Sequence, residues 1–590
     1  MCSLNRTFRE ALCFKLLLKA LNISLDLSTF MSDQKMALVN FFCILMLLAL
    51  PSFDAFSDEI PSDLKTQDMN ALIAQACMNI ENQNSCLNNI QNELTKIGPP
   101  SPTSVVSAAI RTTLNEAIGA IDKISKFTTL SVSYREQVAI EDCKELLDFS
   151  VSELAWSLGE MRKIGAGDNN VQYEGNLEAW LSAALSNQDT CLEGFEGTDR
   201  KLETYISGSL TQVTQLISNV LSLYTQLHSL PFRPPRKNNT LIISNDEESW
   251  KFPEWMSQSD RELLKSKKKP HGTKPHGATT PHVAADAVVA LDGSGHYRTI
   301  NEAVEAAPSH SNRRYVIYVK KGIYKENVDM KKKMTNIMLV GDGIGRTIIT
   351  SNRNFMQGWT TFRTATLAVS GKGFIAKDMS FRNTAGPVNH QAVALRVDSD
   401  QSAFFRCSIE GYQDTLYAHS LRQFYRECEI YGTIDFIFGN GAAVLQNCKI
   451  YTRVPLPLQK VTITAQGRKS PHQSTGFTIQ DSYVLATQPT YLGRPWKEYS
   501  RTVYMNTYMS GLVQPQGWLE WFGNFALDTL WYGEYRNYGP GASVAGRIKW
   551  PGYHVIKDAA AANFFTVQRF INGDSWLPRT GIKFTSGLSN

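Results

Sequence analysis

The first part of the chain carries a helical pattern of apolar positions. Between residues 58 and 225, apolar side chains recur at steps of three and four, which places them on one face of an α-helix. The clearest series are Val106, Ile110, Leu114, Ile118, Ile121 and Ile124; Leu146, Leu147, Val151, Leu154, Leu158 and Met161; and Val213, Leu216, Ile217, Val220 and Leu221. Turn-forming residues, such as those at 98–102, separate the series. The pattern predicts an all-α antiparallel helical bundle with these stripes as its core.

From residue 282 onward the pattern changes to short segments rich in Val, Ile, Phe and Tyr, with Gly and Asn between them, which is typical of strands. Three of these segments align on a Cys-x-Ile core that begins at Cys407, Cys428 and Cys448, so the steps are 21 and 20 residues. A period of this length with a β-prone segment in each unit indicates a solenoid. We therefore expect residues 282–590 to form an all-β, right-handed parallel β-helix.

Two aspartates follow the same period. Asp414 and Asp435 are 21 residues apart, and equivalent residues on adjacent coils of a β-helix stack at about 4.8 Å. Two neighbouring carboxylates resist ionising together, so such a pair divides into an acid and a base or nucleophile. Asp435 also lies in the apolar and aromatic segment 431–440, where an unused carboxylate would cost free energy. The pair is therefore a candidate catalytic centre.

The charge is distributed unevenly along the 590 residues, a length that indicates more than one domain. Residues 281–590 hold 34 Lys and Arg against 22 Asp and Glu, a net charge of +12, and residues 1–280 hold 26 against 33, a net charge of −7. A basic half suits a polyanionic partner, and an acidic half suits contact with the basic one. We expect no nucleic-acid partner, because zinc-finger spacing, an RNA-binding signature and a basic helix are all missing from the sequence.

Two segments are excluded from the folded domains. The apolar run at residues 41–50, followed by small residues, is typical of a secretory signal, so residues 1–57 are predicted to be a targeting segment. It is either a signal peptide with an extended start or a signal anchor, and only a retained anchor would give the chain a membrane contact. Residues 226–281 form a basic, Pro- and Lys-rich linker with a possible processing site. Asn238 begins an Asn-x-Thr glycosylation acceptor in this linker.

Seven of the ten cysteines lie outside the targeting segment, and none has Cys-x-x-Cys spacing. They form the sets Cys77 and Cys86; Cys143 and Cys191; and Cys407, Cys428 and Cys448. In a secreted protein, disulfides are the expected use. Stacked coil positions allow either Cys428–Cys448 or Cys407–Cys428, and the spacing does not choose between them.

Other polar residues accompany the two aspartates. Gln413 precedes Asp414, and Gln391 lies about one coil earlier. Their amides are the donors that a developing oxyanion needs. Further along, Arg494 and Trp496 supply a cation that can hold a carboxylate by two bonds and an aromatic ring that can stack on a sugar.

Together these motifs closely resemble plant pectin methylesterase. The resemblance rests on residues 411–417, 431–440, 464–468 and 492–497, which follow the family's order within residues 282–582. Residues 58–225, with their four cysteines, resemble the pectin methylesterase inhibitor domain that many plant members carry as a prosegment. The resemblance implies a carboxylic ester hydrolase that cleaves methyl esters of galacturonate in pectin (homogalacturonan). It would release methanol in the plant cell wall, as a secreted enzyme.

The resemblance also implies roles for individual residues. Asp435 would be the nucleophile. Asp414 would protonate the departing methanol and then activate water. Gln391 and Gln413 would stabilise the oxyanion, and Arg494 would orient Asp435.

Further implied features are substrate contacts by Thr361, Gln391, Arg494 and Trp496, and disulfides Cys77–Cys86, Cys143–Cys191 and Cys428–Cys448. The family uses no metal or organic cofactor. Its partners are pectin and either its own helical prodomain or separate inhibitor proteins. The prodomain is expected to inhibit the enzyme until it is removed. Many members carry Arg-Arg-Leu-Leu at the processing site, where this chain has Arg261, Glu262, Leu263 and Leu264, so we expect slow or partial cleavage.

Two other functions compete with this one. A pectic glycosidase could use the same type of solenoid, but inverting chemistry needs carboxyl groups roughly 6.5–9.5 Å apart, wider than one coil step. A catalytically silent inhibitor or pectin-binding wall protein is the second alternative, and the intact set of polar residues argues against it. A serine esterase is disfavoured because the chain has no Gly-x-Ser-x-Gly sequence.

Overall fold

The computed structural model describes residues 62–97, 101–165, 171–228 and 285–589. The predicted targeting segment, the glycosylation acceptor Asn238 and the processing site at 261–264 lie outside these ranges. Within them, no helix has both the length and the apolar character that a membrane span requires.

The helical part begins at Ser62 and ends at His228. Its helices are α1 (Ser62–Ala76), α2 (Gln83–Ile97), α3 (Pro102–Ser125), α4 (Tyr134–Gly165), α5 (Val171–Glu193) and α6 (Lys201–His228). Helix α3 starts where the sequence favours it: Ser101 and Ser104 form a reciprocal capping box, and Pro102 occupies the first turn, where its missing N–H costs nothing.

Helices α3 to α6 pack on their neighbours in sequence, α6 returns to α3, and α2 packs against α3, so these helices close a bundle. The predicted stripes form its core, as Ile110, Leu146 and Ile217 are fully buried. One predicted core position is wrong, because Ile118 is 45% exposed. The bundle contains both predicted disulfides, Cys77–Cys86 and Cys143–Cys191. The prediction of a helical bundle is therefore confirmed.

The C-terminal part is a parallel solenoid. Its strands are β1 (Ala287–Val289), β2 (Tyr315–Val319), β3 (Gly322–Lys325), β4 (Val328–Met330), β5 (Ile337–Val340), β6 (Thr347–Ser351), β7 (Leu367–Val369), β8 (Ile375–Asn383), β9 (Leu395–Val397), β10 (Ser402–Glu410), β11 (Leu416–Tyr417) and β12 (Arg422–Arg426). They continue as β13 (Glu429–Gly432), β14 (Ile437–Gly439), β15 (Ala442–Gln446), β16 (Lys449–Thr452), β17 (Val461–Gln466), β18 (Gly476–Gln480), β19 (Tyr483–Leu485), β20 (Thr490–Pro495), β21 (Arg501–Met505), β22 (Tyr508–Met509), β23 (Trp531–Tyr535) and β24 (Tyr553–Val555).

Strand pairing divides the solenoid into three parallel faces. One is a seven-stranded sheet in the order β4-β7-β9-β11-β14-β17-β20. The larger sheet contains two stacks, because the long strands β8 and β10 each pair with different strands at their two ends. We call the stack β1-β2-β5-β8-β10-β12-β15-β18-β21-β23-β24 the long face.

The predicted period equals the number of residues by which adjacent coils are displaced. Ser408 pairs with Glu429, and Glu429 pairs with Lys449, so adjacent coils are displaced by 21 and then 20 residues. The isoleucines of the Cys-x-Ile segments, including Ile430 and Ile450, stack in the fully buried interior. The prediction of a parallel β-helix is confirmed.

The predicted Cys428–Cys448 disulfide is wrong. Cys407, Cys428 and Cys448 are separate buried thiols. In-register parallel strands keep equivalent side chains side by side, and the thiols bond to the backbone of the neighbouring coil instead. The Cys428 thiol donates to the Phe404 carbonyl at 3.4 Å, and the Cys448 thiol donates to the Tyr425 carbonyl at 3.5 Å.

Two faces of the solenoid are covered. The C-terminal segment, which includes α7 (Ala559–Asn563) and α8 (Val567–Phe570), packs against the long face through an apolar cluster. The helical bundle packs on the outer side of the seven-stranded sheet, where Tyr417, Phe438 and Ala465 join the apolar cluster of the bundle.

Candidate active site

Asp414 and Asp435 occupy equivalent positions on adjacent coils. Each lies two residues before a strand of the seven-stranded sheet, and Leu416 pairs with Ile437 in these two strands. Both aspartates adopt positive φ angles, 60° and 50°, a conformation that Asp tolerates better than most residues. Both are buried. The β-helix therefore stacks the two carboxyl groups as the sequence period predicts.

Asp435 is held from two sides. Arg494 donates from Nε to Oδ1 at 2.8 Å and from Nη2 to Oδ2 at 2.6 Å. Thr462 donates its hydroxyl to Oδ1 at 2.8 Å and accepts the Asp435 backbone N–H at 3.1 Å. A bidentate guanidinium is the strongest side-chain partner for a carboxylate. The arrangement neutralises the Asp435 charge and fixes the orientation of its carboxylate.

Asp414 has a different environment. Burial raises its pKa well above the usual value, and the nearby negative charge of Asp435 raises it further, while Arg494 partly opposes both effects. A raised pKa favours the protonated form of the carboxyl group. The two aspartates are therefore unequal, with one paired to a cation and the other suited to donate a proton.

The predicted site residues surround one cavity of about 410 Å³ on the seven-stranded sheet. All seven contribute to its lining: Thr361, Gln391, Gln413, Asp414, Asp435, Arg494 and Trp496. They come from separate coils that only the solenoid brings together.

Sequence reasoning missed four residues of this site: Thr462, Tyr417, Phe438 and Trp521. Tyr417 and Phe438 stack at 4.1 Å between ring centroids and form an aromatic floor beside the carboxylates. They are 21 residues apart, so the period that revealed the aspartates could have found them. Trp521 lies over the Arg494 guanidinium at 4.4 Å, in a loop with no periodic signal.

The helical bundle completes the wall of the cavity. Thr190, Glu193, Gly194 and Glu196, from the end of α5 and the turn after it, line the same space as the two aspartates. Glu193 forms an ion pair with Lys497 at 2.7 Å. In the intact chain the site is therefore roofed by the bundle.

Comparison with known proteins agrees with this geometry. The family model described as Pectinesterase matches residues 286–574, and the one described as plant invertase/pectin methylesterase inhibitor matches residues 71–223. Pectinesterase/pectinesterase inhibitor 22 of Arabidopsis thaliana is 62% identical over 557 residues, which cover 93% of this chain and 99% of that protein. Pectinesterase/pectinesterase inhibitor PPE8B of Prunus persica is 49% identical, covering 80% of this chain and 88% of that protein.

A solved structure extends the comparison to the fold. The pectin methylesterase from carrot is 55% identical and superimposes with a TM-score of 0.52, covering 52% of this chain and 99% of that one. The two family models and the two relatives together span both the helical and the solenoid parts. The chain therefore belongs to the pectinesterase family and carries a pectin methylesterase inhibitor domain ahead of its enzyme domain.

Proposed function

We propose that the solenoid hydrolyses methyl esters of galacturonate residues in pectin, with Asp435 as nucleophile and Asp414 as acid and then base. The observation that carries this assignment is the unequal carboxyl pair. Asp435 is held by Arg494 and Thr462, and Asp414 is buried on the neighbouring coil with a raised pKa.

In the first half of the reaction, a carboxylate oxygen of Asp435 attacks the ester carbonyl carbon. The side-chain amides of Gln391 and Gln413, which line the same cavity, donate to the oxyanion that forms. Collapse of the tetrahedral intermediate breaks the bond to the methoxy oxygen, and Asp414 transfers its proton to that oxygen. Methanol leaves, and an acyl-enzyme anhydride remains on Asp435.

In the second half, Asp414 is a carboxylate and acts as a base. It takes a proton from a water molecule that attacks the carbonyl carbon of the anhydride. Release of Asp435 gives the free galacturonate, and Asp414 is again protonated. Each cycle consumes one water molecule and produces one methanol and one new carboxyl group.

The polysaccharide would lie along the seven-stranded sheet. Thr361 precedes the two aspartates in the chain, and Trp496 follows them. Both line the cavity, so they are placed to contact neighbouring sugars. The aromatic floor of Tyr417 and Phe438 offers further stacking surface.

The proposal includes inhibition by the bundle. Since Glu193 and Glu196 line the cavity of the two aspartates, pectin cannot reach the site while the bundle is docked. Cleavage in the 226–281 linker, followed by departure of the bundle, would activate the enzyme. Because pectin lies in the plant cell wall, and because residues 41–50 are typical of a secretory signal, we expect the enzyme to act outside the cell.

The test uses the full-length chain with a site-specific protease sequence inserted in the linker. After cleavage and removal of the bundle at high salt, the solenoid is incubated with highly methyl-esterified pectin. We expect methanol release without any shortening of the polymer. Polymer scission would favour a pectic glycosidase, and a folded solenoid that produces neither would favour a silent wall protein.

A further inference from the structure

One arginine side chain crosses the two coils that carry the paired aspartates. Arg453 follows β16, on the coil after that of Asp435. Its backbone N–H donates to the Gly432 carbonyl at 2.7 Å, as in ordinary pairing between neighbouring coils. Its side chain reaches one coil further, where Nη1 donates to the Gly411 carbonyl at 2.9 Å. Arg453 therefore connects the turn before Asp414 with the turn before Asp435.

The same guanidinium also contacts a fixed carboxylate on the first of these coils. Its Nη2 lies 3.5 Å from Oε2 of Glu410, the residue directly before Gly411. Arg382 donates to both carboxylate oxygens of Glu410, at 3.0 and 3.2 Å, and the Ser408 hydroxyl donates to it at 2.9 Å. Because Glu410 is held by these bonds, it gives Arg453 a defined point of attachment.

Two aromatic rings complete the surroundings of the guanidinium. Arg453 lies over the rings of Tyr412 and Tyr431, at 5.1 and 5.3 Å from their centroids. The ring of Tyr431 in turn stacks on Tyr451 at 4.6 Å. A cation over an aromatic face adds a favourable contact that also restricts its orientation. The hydrogen bond, the ion pair and the two rings together hold the arginine in one position.

The segment that the arginine contacts is the turn at residues 411–414, which carries Gln413 and Asp414. The Tyr412 carbonyl in this turn also accepts the backbone N–H of Thr433, on the next coil, at 2.9 Å. Asp414 adopts a φ of 60°, a conformation that persists only where surrounding contacts maintain it. The guanidinium adds side-chain contacts to the backbone bonds that keep this turn in place.

We propose that Arg453 is a positioning residue for the ester hydrolysis. It fixes the turn at residues 411–414, and thereby the distance from Asp414 to Asp435 and the direction of the Gln413 amide. Of the described residues, those that line the cavity do not include Arg453, so it acts through the turn. This inference rests on the proposed esterase function. A misplacement of about 1 Å in a reacting group can lower a rate about a hundredfold.

The test replaces Arg453 by Met, which keeps a long side chain and removes the charge and the hydrogen bonds. The matched control is Arg406→Met. Arg406 also pairs with a carboxylate, that of Asp378 at 2.7 and 2.8 Å, and also lies over a ring, that of Phe405. The two arginine side chains are 27% and 28% exposed. Arg406 lies at the corner between the two stacks of the larger sheet, away from the aspartates.

Each variant is made in the full-length chain with the cleavable linker and is then freed of the bundle. Both kcat and KM are measured on highly methyl-esterified pectin, and the stoichiometry of bundle binding counts the folded solenoid. For Arg453→Met we expect kcat per folded molecule to fall about ten- to a hundredfold, with KM within about twofold. Arg453→Lys should recover part of this loss, because a lysine keeps the charge but lacks the fork that reaches two partners. An equal kcat in Arg453→Met and Arg406→Met would overturn the proposal.

The pH profile supplies a readout that a loss of folded protein would not move. Burial raises the pKa of Asp414, the negative charge of Asp435 raises it further, and Arg494 opposes both effects. Glu193 and Glu196 of the bundle also raise it, but they are absent from the freed solenoid. Release of the turn would move the Asp414 carboxyl group away from Asp435 and toward water, so its pKa should fall.

The sign of the shift follows from the mechanism. The reaction begins with Asp414 protonated, so kcat/KM decreases as the pH rises through the pKa of this group. This alkaline limb should move to lower pH in Arg453→Met and stay in place in Arg406→Met. An unmoved limb in Arg453→Met would contradict the positioning role.

Arg453→Lys decides the question if Arg453→Met does not fold. A kcat and an alkaline limb equal to those of the unsubstituted enzyme would then overturn the proposal. Methanol release by the unsubstituted solenoid reports the esterase itself. An active enzyme whose Arg453 variants keep both kcat and the pH profile contradicts only the positioning role, whereas an inactive unsubstituted solenoid refutes the proposed function.

Discussion

The two covers of the solenoid differ in chemistry. The C-terminal segment meets the long face through buried aromatic and aliphatic side chains, among them Phe565, Phe570 and Trp576, and its backbone also pairs with Gln446. The bundle also has an apolar contact with the seven-stranded sheet, through Tyr417, Phe438 and Ala465. It adds six ion-pair contacts and many side-chain hydrogen bonds, such as Trp180 to Asp400 at 2.9 Å.

The difference indicates which cover is permanent. Apolar surface gains free energy only when it leaves water, so the long face needs its cover to be stable. Charged and polar groups lose little when an interface opens, because water replaces their partners. The proposed prosegment role requires the second kind of interface, and the face that the bundle would uncover carries the two aspartates proposed as catalytic.

The largest expected effect concerns Asp414 and Asp435, which belong to neither cover. In the freed solenoid, Asp435→Asn and Asp414→Asn should each lower methanol release by several orders of magnitude, because each removes one member of a coupled pair. Neither change touches the long face. The measurement is turnover on pectin, with circular dichroism and bundle binding as controls for folding. Activity near that of the unsubstituted enzyme in a folded Asp435→Asn protein would refute the assigned nucleophile.

The next effect concerns stability. Trp576 is 3% exposed under the C-terminal cover, so Trp576→Ala should reduce the free energy of unfolding of the freed solenoid by about 3–5 kcal/mol. Lys469→Ala, at the bundle interface, should change it by only about 0.5 kcal/mol while weakening bundle binding. Denaturant unfolding and a bundle-binding assay measure the two quantities. Equal destabilisation by both substitutions would remove the distinction between the covers.

A smaller effect is expected at Thr462, the residue that orients Asp435 together with Arg494. Thr462→Val keeps the shape but removes the hydroxyl, and kcat should fall by about tenfold, the value of roughly one hydrogen bond to a charged group. Thr462→Ser should restore most of it, and KM should change little in either variant. If Ser and Val lose equal activity, Thr462 acts through packing and not through its hydrogen bonds.

The last effect is the pH dependence of docking. Burial raises the pKa of Glu153 to about 7, against 4.5 in water, and Lys332 and Asn187 offset only part of that rise. A carboxyl group whose pKa is raised in the docked state favours docking below its free pKa, and this contribution is lost as the pH rises through about 7. Bundle affinity should therefore fall as the pH rises from 5 to 8, because the ionised form of this buried carboxyl group opposes docking.

Glu153→Gln provides the control for this titration, because glutamine remains neutral across the range. Its docking affinity should vary less with pH than that of the unsubstituted chain, when both are measured by the same binding assay. An unchanged pH profile in Glu153→Gln would assign the dependence to other buried carboxyl groups at the interface.

Much of this molecule could be predicted from the sequence, because the helical bundle and the β-helix both depend on periodic patterns of residues. The 21-residue step that aligned Cys407 with Cys428 is the coil register, and the same step stacks Asp414 on Asp435. Apolar stripes gave the bundle in the same way, except at Ile118, where a helical position faces solvent.

What the sequence could not give depends on contacts between coils and between domains. The family resemblance implied a Cys428–Cys448 disulfide that the coil spacing allowed, whereas thiols on in-register strands can bond to neighbouring carbonyls instead. Thr462 and Trp521 reach the site from positions without a motif of their own. The pairing of Lys332, Lys469 and Lys497 with bundle carboxylates required the docked structure, because net charges of +12 and −7 indicate attraction but no partners.

The most direct test of the account is methanol release by one preparation of the full-length chain, before and after cleavage in the linker and removal of the bundle. The account predicts that the intact chain is nearly inactive on pectin, that the freed solenoid releases methanol, and that adding back the bundle at low salt suppresses the release. Full activity in the intact, uncleaved chain would contradict the claim that the bundle is a removable roof over the catalytic pair.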